Sequence, residues 1–352
     1  MHAWLEVDLG AIVGNARELA CRAAPAALCA VVKANAYGHG AVPVGKALEA
    51  AAIPGLRFGV FAVCEGLALR DAGVATPILV LGPASAPEAE AAAAADLECA
   101  VLDAADASAF PRGLRVHVKV DTGVARFGVP AANASAAIDA CRASGLRVVG
   151  LYSHLANSED LDERFTRTQL ERLESVPHEG LMTHIAASAA AIMWPFARLD
   201  MVRCGIALYG RWPSEAVRTS AASSGLALAP ALRWFAPIVS VRDVAAGDPV
   251  GYGCEFVAAR ASKIAVLPLG YADGLPRAAG GGALHVVVRD SRAPIVGRIC
   301  MNACMVDVTG VTPAVTRGDI VRIDIDEAAR AARTIDYEIL ARLPSTLERR
   351  YR

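Results

Sequence analysis

The sequence predicts an α/β fold: an N-terminal (β/α)8 barrel of the TIM type, followed by a mainly β C-terminal domain. Three features carry that expectation. Up to about residue 225, short apolar runs alternate with helix-like segments about eight times. The runs are continuously apolar and not alternating, which suits strands buried on both faces of a parallel sheet. From about Leu228 the helical patterns thin out, and Gly, Pro and Asp turns take over. An open doubly wound sheet is the alternative, but no GxGxxG turn follows an early strand.

Taken in order, Trp4–Leu9 reads as a strand that its pattern alone does not place. Leu28–Lys33 is the first barrel strand, followed by a helical pattern at Val44–Ala51. Arg57–Val63 precedes the helix Glu65–Ala72, and Pro77–Leu81 precedes Ala86–Ala95. Leu97–Leu102 and Leu114–Val120 are the fourth and fifth strands, with a helix at Ala132–Ala143 after the fifth. Arg147–Ser153 leads into Leu161–Ser175, and Leu181–Ala186 and Met201–Leu208 complete the eight. Thr219–Pro230, rich in Ala and Ser, is the expected connector, dividing a barrel of residues 11–225 from a β-domain of residues 226–352. In the latter, Phe235–Arg242, Lys263–Leu267, His285–Val288, Met305–Val308 and Asp319–Ile323 read as strands joined by turns such as AAGDPVG and VTRGD.

Composition narrows the class. The 352 residues suggest two or three domains, and 55% hydrophobic content, much of it alanine, supplies a large core. The 35 basic and 36 acidic residues leave a net charge of −1, so nothing electrostatic points to nucleic acid or an anionic membrane. Met1–Gly10 carries Glu6 and Asp8 and lacks a basic start, which argues against a secretory signal. No uncharged run reaches the ~18 strongly apolar residues of a membrane span, and Ala89–Ala95 is only a helix former. Nine cysteines without a CxxC pair argue against a disulfide framework or a structural zinc site, and Cys300 and Cys304 have no histidine cluster beside them. The expectation is a reduced, cytoplasmic protein with no metal.

The string AVVKANAYGHG, residues 30–40, ends an apolar run on a lysine and then turns. A partly desolvated Lys33 has a lowered pKa, which makes its amine a nucleophile and a base. The plainer reading is a strand-end lysine whose stem is buried and whose head reaches water. Tyr37 follows four residues on, placed to meet an anion near the amine. Barrels of this kind gather catalytic groups at the C-terminal ends of their strands, and five of the eight ends carry candidates. Besides Lys33 these are Lys119, Asp121 and Arg126 in VKVDTGVARFG, His154 in YSHLANSED, Ser188 in HIAASAA, and Arg203 to Ile206 in MVRCGIALYG. Each alone reads as a structural histidine or a surface charge. Together they describe a site, and Gly205 and Ile206 can offer backbone N–H groups to a phosphate there.

These strings, with VGYGCEF, PLGYADGLPR, VGRICMNACMVDV and IDYEILARLP in this order, make the chain resemble the alanine racemases, fold-type III pyridoxal 5'-phosphate enzymes, along essentially its whole length. The resemblance implies a head-to-tail homodimer with shared active sites, and it joins residues 1–10 to the β-domain. It implies that Lys33 holds pyridoxal phosphate as a Schiff base, which the amino-acid substrate displaces in an external aldimine whose Cα proton is acidified. Interconversion of L- and D-alanine then needs a base on each face: Lys33 on the D-face, and Tyr252 from the partner subunit on the L-face. Free tyrosine has a pKa of about 10, so a tyrosine base needs nearby positive charge. By resemblance Arg126 supplies it and also meets the substrate carboxylate.

The same resemblance sets Arg203 against the pyridine nitrogen; an arginine pKa above about 12 leaves that nitrogen unprotonated. His154 packs on the ring and bonds that arginine, while Tyr37, Ser188, Gly205, Ile206 and Tyr337 make the phosphate shell. Lys119 matches a lysine that is carbamylated in many members and then orients Arg126. Met301 matches a backbone donor to the substrate carboxylate. Tyr271, Arg277, Arg298 and Asn302 match entrance positions, although Tyr271 and Arg298 also fit plain packing at a domain interface.

Three positions depart from the family pattern. Asn302 stands where aspartate is usual, Ala187 replaces a common Asn, and Val124 a common Met. Asn donates as well as accepts a hydrogen bond, so a broader serine/alanine racemase is the alternative substrate reading. Two other classes compete. A non-catalytic pyridoxal phosphate carrier usually has the barrel alone. A fold-type III decarboxylase typically sets a carboxylate at the pyridine nitrogen and a glycine-rich phosphate loop in the barrel, whereas the GGG run here, Gly280–Gly282, falls in the β-domain.

Overall fold

The computed structural model describes residues 2–352. Eight parallel strands neighbour one another in chain order: Ala27–Val31, Arg57–Val60, Ile78–Val80, Glu98–Val101, Arg115–Asp121, Arg147–Tyr152, Met182–His184 and Met201–Cys204. The eighth pairs back onto the first, with Met201 opposite Ala27. Between the seventh and eighth the ladder narrows to one backbone bridge, Ala187 to Arg203, so the barrel is nearly closed. Closure buries both faces of most strands, and Phe58, Ile78, Leu79, Val116, Leu151 and Val202 have no exposed surface. Helices Ala41–Ala50, Val63–Asp71, Ala86–Ala94, Ala134–Ala143 and Arg164–Glu174 follow the periodic segments of the sequence. A further helix, Leu9–Ala23, precedes the first strand and buries Ile12, Ala16, Leu19 and Ala23.

Seven of the eight barrel strands end earlier than the sequence suggests, the second at Val60 with Val63 already opening a helix, and two of these ends shape the site. The eighth stops at Cys204, where Gly205 turns the chain into a 3-10 turn over Ile206–Tyr209 whose Tyr209 hydroxyl donates to the Val31 carbonyl at 2.9 Å. Gly210 closes that turn at φ +76°, and a Cβ there would lie 1.9 Å from the Ala229 carbonyl oxygen. Gly210→Ala is therefore expected to cost about 3 kcal/mol or more, from left-handed strain plus backbone overlap. A denaturant midpoint equal to wild type would refute it.

The first strand stops at Val31, and residues 34–37 form a single left-handed turn with φ between 51° and 54°. For L-residues that conformation costs roughly 1–2 kcal/mol each, so the turn needs anchors. Glu65 supplies one: its carboxylate accepts the N–H groups of Ala34 (2.6 Å), Phe61 (2.7 Å) and Ala62 (3.1 Å). Asn35 Oδ1 supplies another by accepting the Ala41 N–H at 2.8 Å.

The chain forms two compact units. One holds Leu9–Ala36 and Ala41–Ala231; the other holds residues 2–8, Tyr37–Gly40 and Leu232–Arg352. The second unit is built on a nine-stranded sheet in the order Ser240–Val244, Ser262–Leu267, Cys304–Asp307, Ser291–Val296, His285–Val288, Ile320–Ile323, Leu232–Pro237, Trp4–Val7, Glu348–Tyr351. All neighbours are antiparallel except the last two, which run parallel. The expected strand Phe235–Arg242 is two strands, because the chain leaves one neighbour after Pro237 and pairs with another from Ser240. Helices Ile325–Ala332 and Asp336–Ala341 interrupt the β-structure, the first capped by the Asp324 carboxylate accepting the Glu327 N–H at 2.9 Å. All nine cysteines are free thiols. Among the described residues no helix is long and apolar enough to cross a membrane, and no group of His, Cys, Asp and Glu is arranged to hold a metal ion.

Candidate active site

The barrel unit gathers cations at one set of strand ends. Lys33 follows the buried first strand by two residues, and its Nζ lies 5.9 Å from the Phe61 ring centre. Burial holds its pKa below the usual lysine range, helped by the positive charges of Arg126 and Arg203 and opposed by Glu65. Lys119, on the fifth strand, sits 5.5 Å from the Phe127 ring and 5.4 Å from that of Tyr152. Burial, then Arg203 and Arg126, bring its pKa down to about 8. Asp121 does not neutralise Arg126: its Oδ1 accepts the N–H groups of Gly123, Val124 and Ala125 and so shapes the loop between them. Lys119, Asp121, Arg126 and His154 line one narrow cavity.

Arg203 is buried on the eighth strand. Its Nη1 donates to His184 Nδ1 at 2.7 Å, and its Nη2 to the carbonyls of Ser153 (2.7 Å) and Ile185 (3.2 Å) and to His154 Nδ1 (3.3 Å). No carboxylate pairs with it among the described residues. Burial and the Arg203 charge push His154 down to about 3. Ser188 is also buried, and its Oγ accepts the Gly205 N–H at 3.0 Å and the Ala207 N–H at 3.5 Å. The Gly205 amide thus serves Ser188, and the serine hydroxyl keeps its own proton to donate.

The sequence reading passed over Glu98, His117, Tyr152 and His184, all buried here. Tyr152 stacks on His184 with centroids 4.7 Å apart and planes 12° from parallel. Tyr152 and His184 open two of the motif strings, but nothing local marks them. Their burial comes from strands many residues away.

His117, His154 and His184 all have lowered pKa values, burial being the largest cause for each. The unfolded chain therefore takes up protons that the folded one refuses. Stability is full above about pH 6.5 and falls below it as the unfolded chain takes up protons, by about 1.4 kcal/mol per pH unit for His154 until about pH 3. Denaturant unfolding at pH 7.5 and 5.5 is expected to show a loss of about 1.4 kcal/mol from His154, with His117 and His184 adding to it in the same direction, and equal stabilities would refute it.

The β-unit carries the other motif residues. Tyr37 and Tyr337 meet edge to face with centroids 6.2 Å apart, and burial pushes the Tyr37 hydroxyl up to about 12. Tyr252 is 70% exposed, on a turn between Gly251 (φ +80°) and Gly253 (φ +74°). The Arg298 guanidinium lies over Gly253, where a Cβ would come within 3.0 Å, and pairs with Glu255. The Tyr271 and Ala272 N–H groups donate to the carbonyls of Cys300 and Met301 at 3.1 and 2.9 Å, so these two loops are tied by their backbones. Met301, Asn302 and Arg277 are exposed.

Residues 7–213 match the family model "Alanine racemase, N-terminal domain", and residues 231–351 match "Alanine racemase, C-terminal domain". The chain belongs to the alanine racemase family. An alanine racemase of Symbiobacterium thermophilum is 38% identical over 99% of this chain and 96% of its own. The crystal structure of alanine racemase from Streptomyces lavendulae, a D-cycloserine producer, superposes with a TM-score of 0.90 at 32% identity, covering 100% of this chain and 97% of that one. The biosynthetic alanine racemase of Pseudomonas aeruginosa gives 0.87 at 36% identity with full coverage of both. As an alanine racemase family member the chain is a pyridoxal phosphate-dependent isomerase. Its residues fit that cofactor: a lysine amine made less basic by burial, a buried guanidinium without a carboxylate partner, and a buried serine hydroxyl oriented by two backbone amides.

Proposed function

We propose that Lys33 and Tyr252 are the two proton-transferring groups of an L-/D-alanine racemase. The observation that carries this reading is the amine of Lys33, half-buried after a barrel strand and made less basic among Arg126 and Arg203. Pyridoxal phosphate, when bound, supplies an electron sink that acidifies the substrate Cα–H. Toward D-alanine, Tyr252 Oη takes the Cα proton from one face and Lys33 Nζ delivers one to the other; the reverse direction exchanges the roles. Arg126 holds the substrate carboxylate, with the Met301 N–H as a second donor. The lack of an ion-pair partner for Arg126 among the described residues favours that role.

Arg203 and His154, bonded to each other at 3.3 Å, would hold the cofactor ring. A guanidinium gives the ring a hydrogen bond but no proton, which moderates the electron sink. Tyr37, Ser188, Ile206 and Tyr337 would hold the phosphate, with Gly205 acting through the Ser188 hydroxyl that its N–H orients. Lys119, with its lowered pKa, has a neutral fraction available for carbamylation, after which it would orient Arg126. Tyr271, Arg277, Arg298 and Asn302 line the way in.

The reading divides the chain into a barrel of residues 11–225 and a β-domain of residues 226–352 joined by residues 1–10. It makes the enzyme a homodimer in which Tyr252 reaches the site of the other subunit. Exposed Tyr252, Met301, Val257 and Tyr271 on the β-unit favour such a partner surface. Nine free cysteines favour a reducing, cytoplasmic setting.

Purified protein given L-alanine is expected to form D-alanine in a pyridoxal phosphate-dependent manner. Its absence from enzyme showing the yellow absorption of the lysine-bound cofactor would defeat the reading. Serine assayed in parallel tests Asn302: turnover is expected, and a rate far below that for alanine counts against the broader specificity.

A further inference from the structure

We infer that Glu98, His117 and His184 are a chain of positioning residues that fixes Arg203 from across the barrel interior, an inference that rests on the reading of Arg203 as the ring-facing residue. The chain runs through the fourth, fifth, seventh and eighth strands. Arg203 Nη1 lies 2.7 Å from His184 Nδ1, His184 Nε2 lies 2.9 Å from His117 Nδ1, and His117 Nε2 lies 3.1 Å from Glu98 Oε2. His184 is fully buried, His117 is 1% exposed and Glu98 4%.

The direction of every bond follows from the first. A guanidinium only donates, so His184 Nδ1 accepts and its proton sits on Nε2. That N–H donates to His117 Nδ1, which leaves the second proton on His117 Nε2, donating to the carboxylate. Both rings are then neutral and both are Nε2–H tautomers. Arg57 and Arg115 clamp the carboxylate end, the latter through Nε at 3.2 Å. Burial raises the Glu98 pKa, but hydrogen bonds from His117 and Arg57 outweigh it and hold the group at about 2.

The backbone makes room for this chain. A Cβ on Gly150 would sit 2.1 Å from His117 Nδ1, and the pairing of the fifth and sixth strands slips between Val116 and His117. Tyr152, stacked on His184, holds that ring's plane. Rotating Arg203 therefore breaks a series of bonds whose polarity all runs toward one buried anion, and such chains reinforce one another at low dielectric. Glu98 acts on Arg203 as a distant counter-charge, with no carboxylate placed close enough to face the cofactor itself.

The test uses full-length holoenzyme labelled with 15N at its seven histidines and read by two-bond 1H–15N correlation. His117→Gln and His184→Gln assign the signals. Both rings are expected as neutral Nε2–H tautomers, unchanged from about pH 5.5 to 8.5. A ring in the Nδ1–H form, or one titrating in that window, overturns the inference. In Glu98→Gln, kcat is expected to fall about 10-fold or more with KM near wild type, and the His117 tautomer to become mixed. A wild-type kcat with unchanged tautomers overturns it as well. Should Glu98→Gln fail to fold, the wild-type tautomers decide alone. Failure of the underlying reading looks different: Arg203→Lys would leave the cofactor absorption unchanged while the histidine tautomers stay as stated.

Discussion

Lys33→Ala is expected to yield a folded protein with neither the yellow cofactor absorption nor racemase activity. The side-chain amine lies 5.9 Å from the Phe61 ring centre, and among the described residues no ion pair holds it, so the loss of fold is small. Removing a general base alone costs roughly 10²- to 10⁴-fold in rate, and this change also removes the amine that would bind the cofactor. The effect should therefore reach or exceed the upper end of that range. Circular dichroism checks the fold, absorbance the cofactor, and a chiral assay the product. More than about 1% residual activity would move the base assignment elsewhere.

Tyr252→Phe separates binding from proton transfer. Phenylalanine keeps the ring and removes only the hydroxyl, on a turn whose glycines and Arg298–Glu255 pair stay in place. The cofactor absorption is expected to survive while activity falls roughly 10²- to 10⁴-fold. Mixing the two inactive variants tests the shared site. In a hybrid dimer one site combines both lesions and the other combines neither. Re-equilibrated subunits are expected to recover roughly a quarter of wild-type activity, as about half the dimers are hybrids with one intact site of two. No recovery, with hybrids demonstrated, would place Tyr252 in the site of its own chain.

Much of the architecture was legible because continuous apolar runs and helical periods persist through the barrel. Leu9–Ala23 was missed although Ile12, Ala16, Leu19 and Ala23 carry a helical spacing, since Gly10 and Gly14 dilute it. The extended reading of Ile206–Leu208 failed because apolar residues in a buried 3-10 turn look like a strand until Gly205 is seen to break the ladder. Glu98, His117 and His184 lie in stretches that read as apolar strand, and each gains its meaning only when closure sets it against the next. Lys33, Lys119, Arg126, His154 and Ser188 stood out for the opposite reason: they sit in short polar motifs at strand ends, where local sequence alone signals a change of environment.

The sheet of the β-unit sets an order of assembly. Trp4–Val7 pairs with residues 232–235 on one side and 348–351 on the other, so this strand is synthesised long before either neighbour. The barrel's strands neighbour one another in chain order, and all eight precede Leu232 in the chain. During translation the barrel can therefore form while the leading strand waits unpaired, a bare edge exposed to other chains. Fusing a short linker and a second copy of residues 2–8 ahead of Leu232 would relieve that wait, and the gain in soluble yield would measure how much the delay costs the cell.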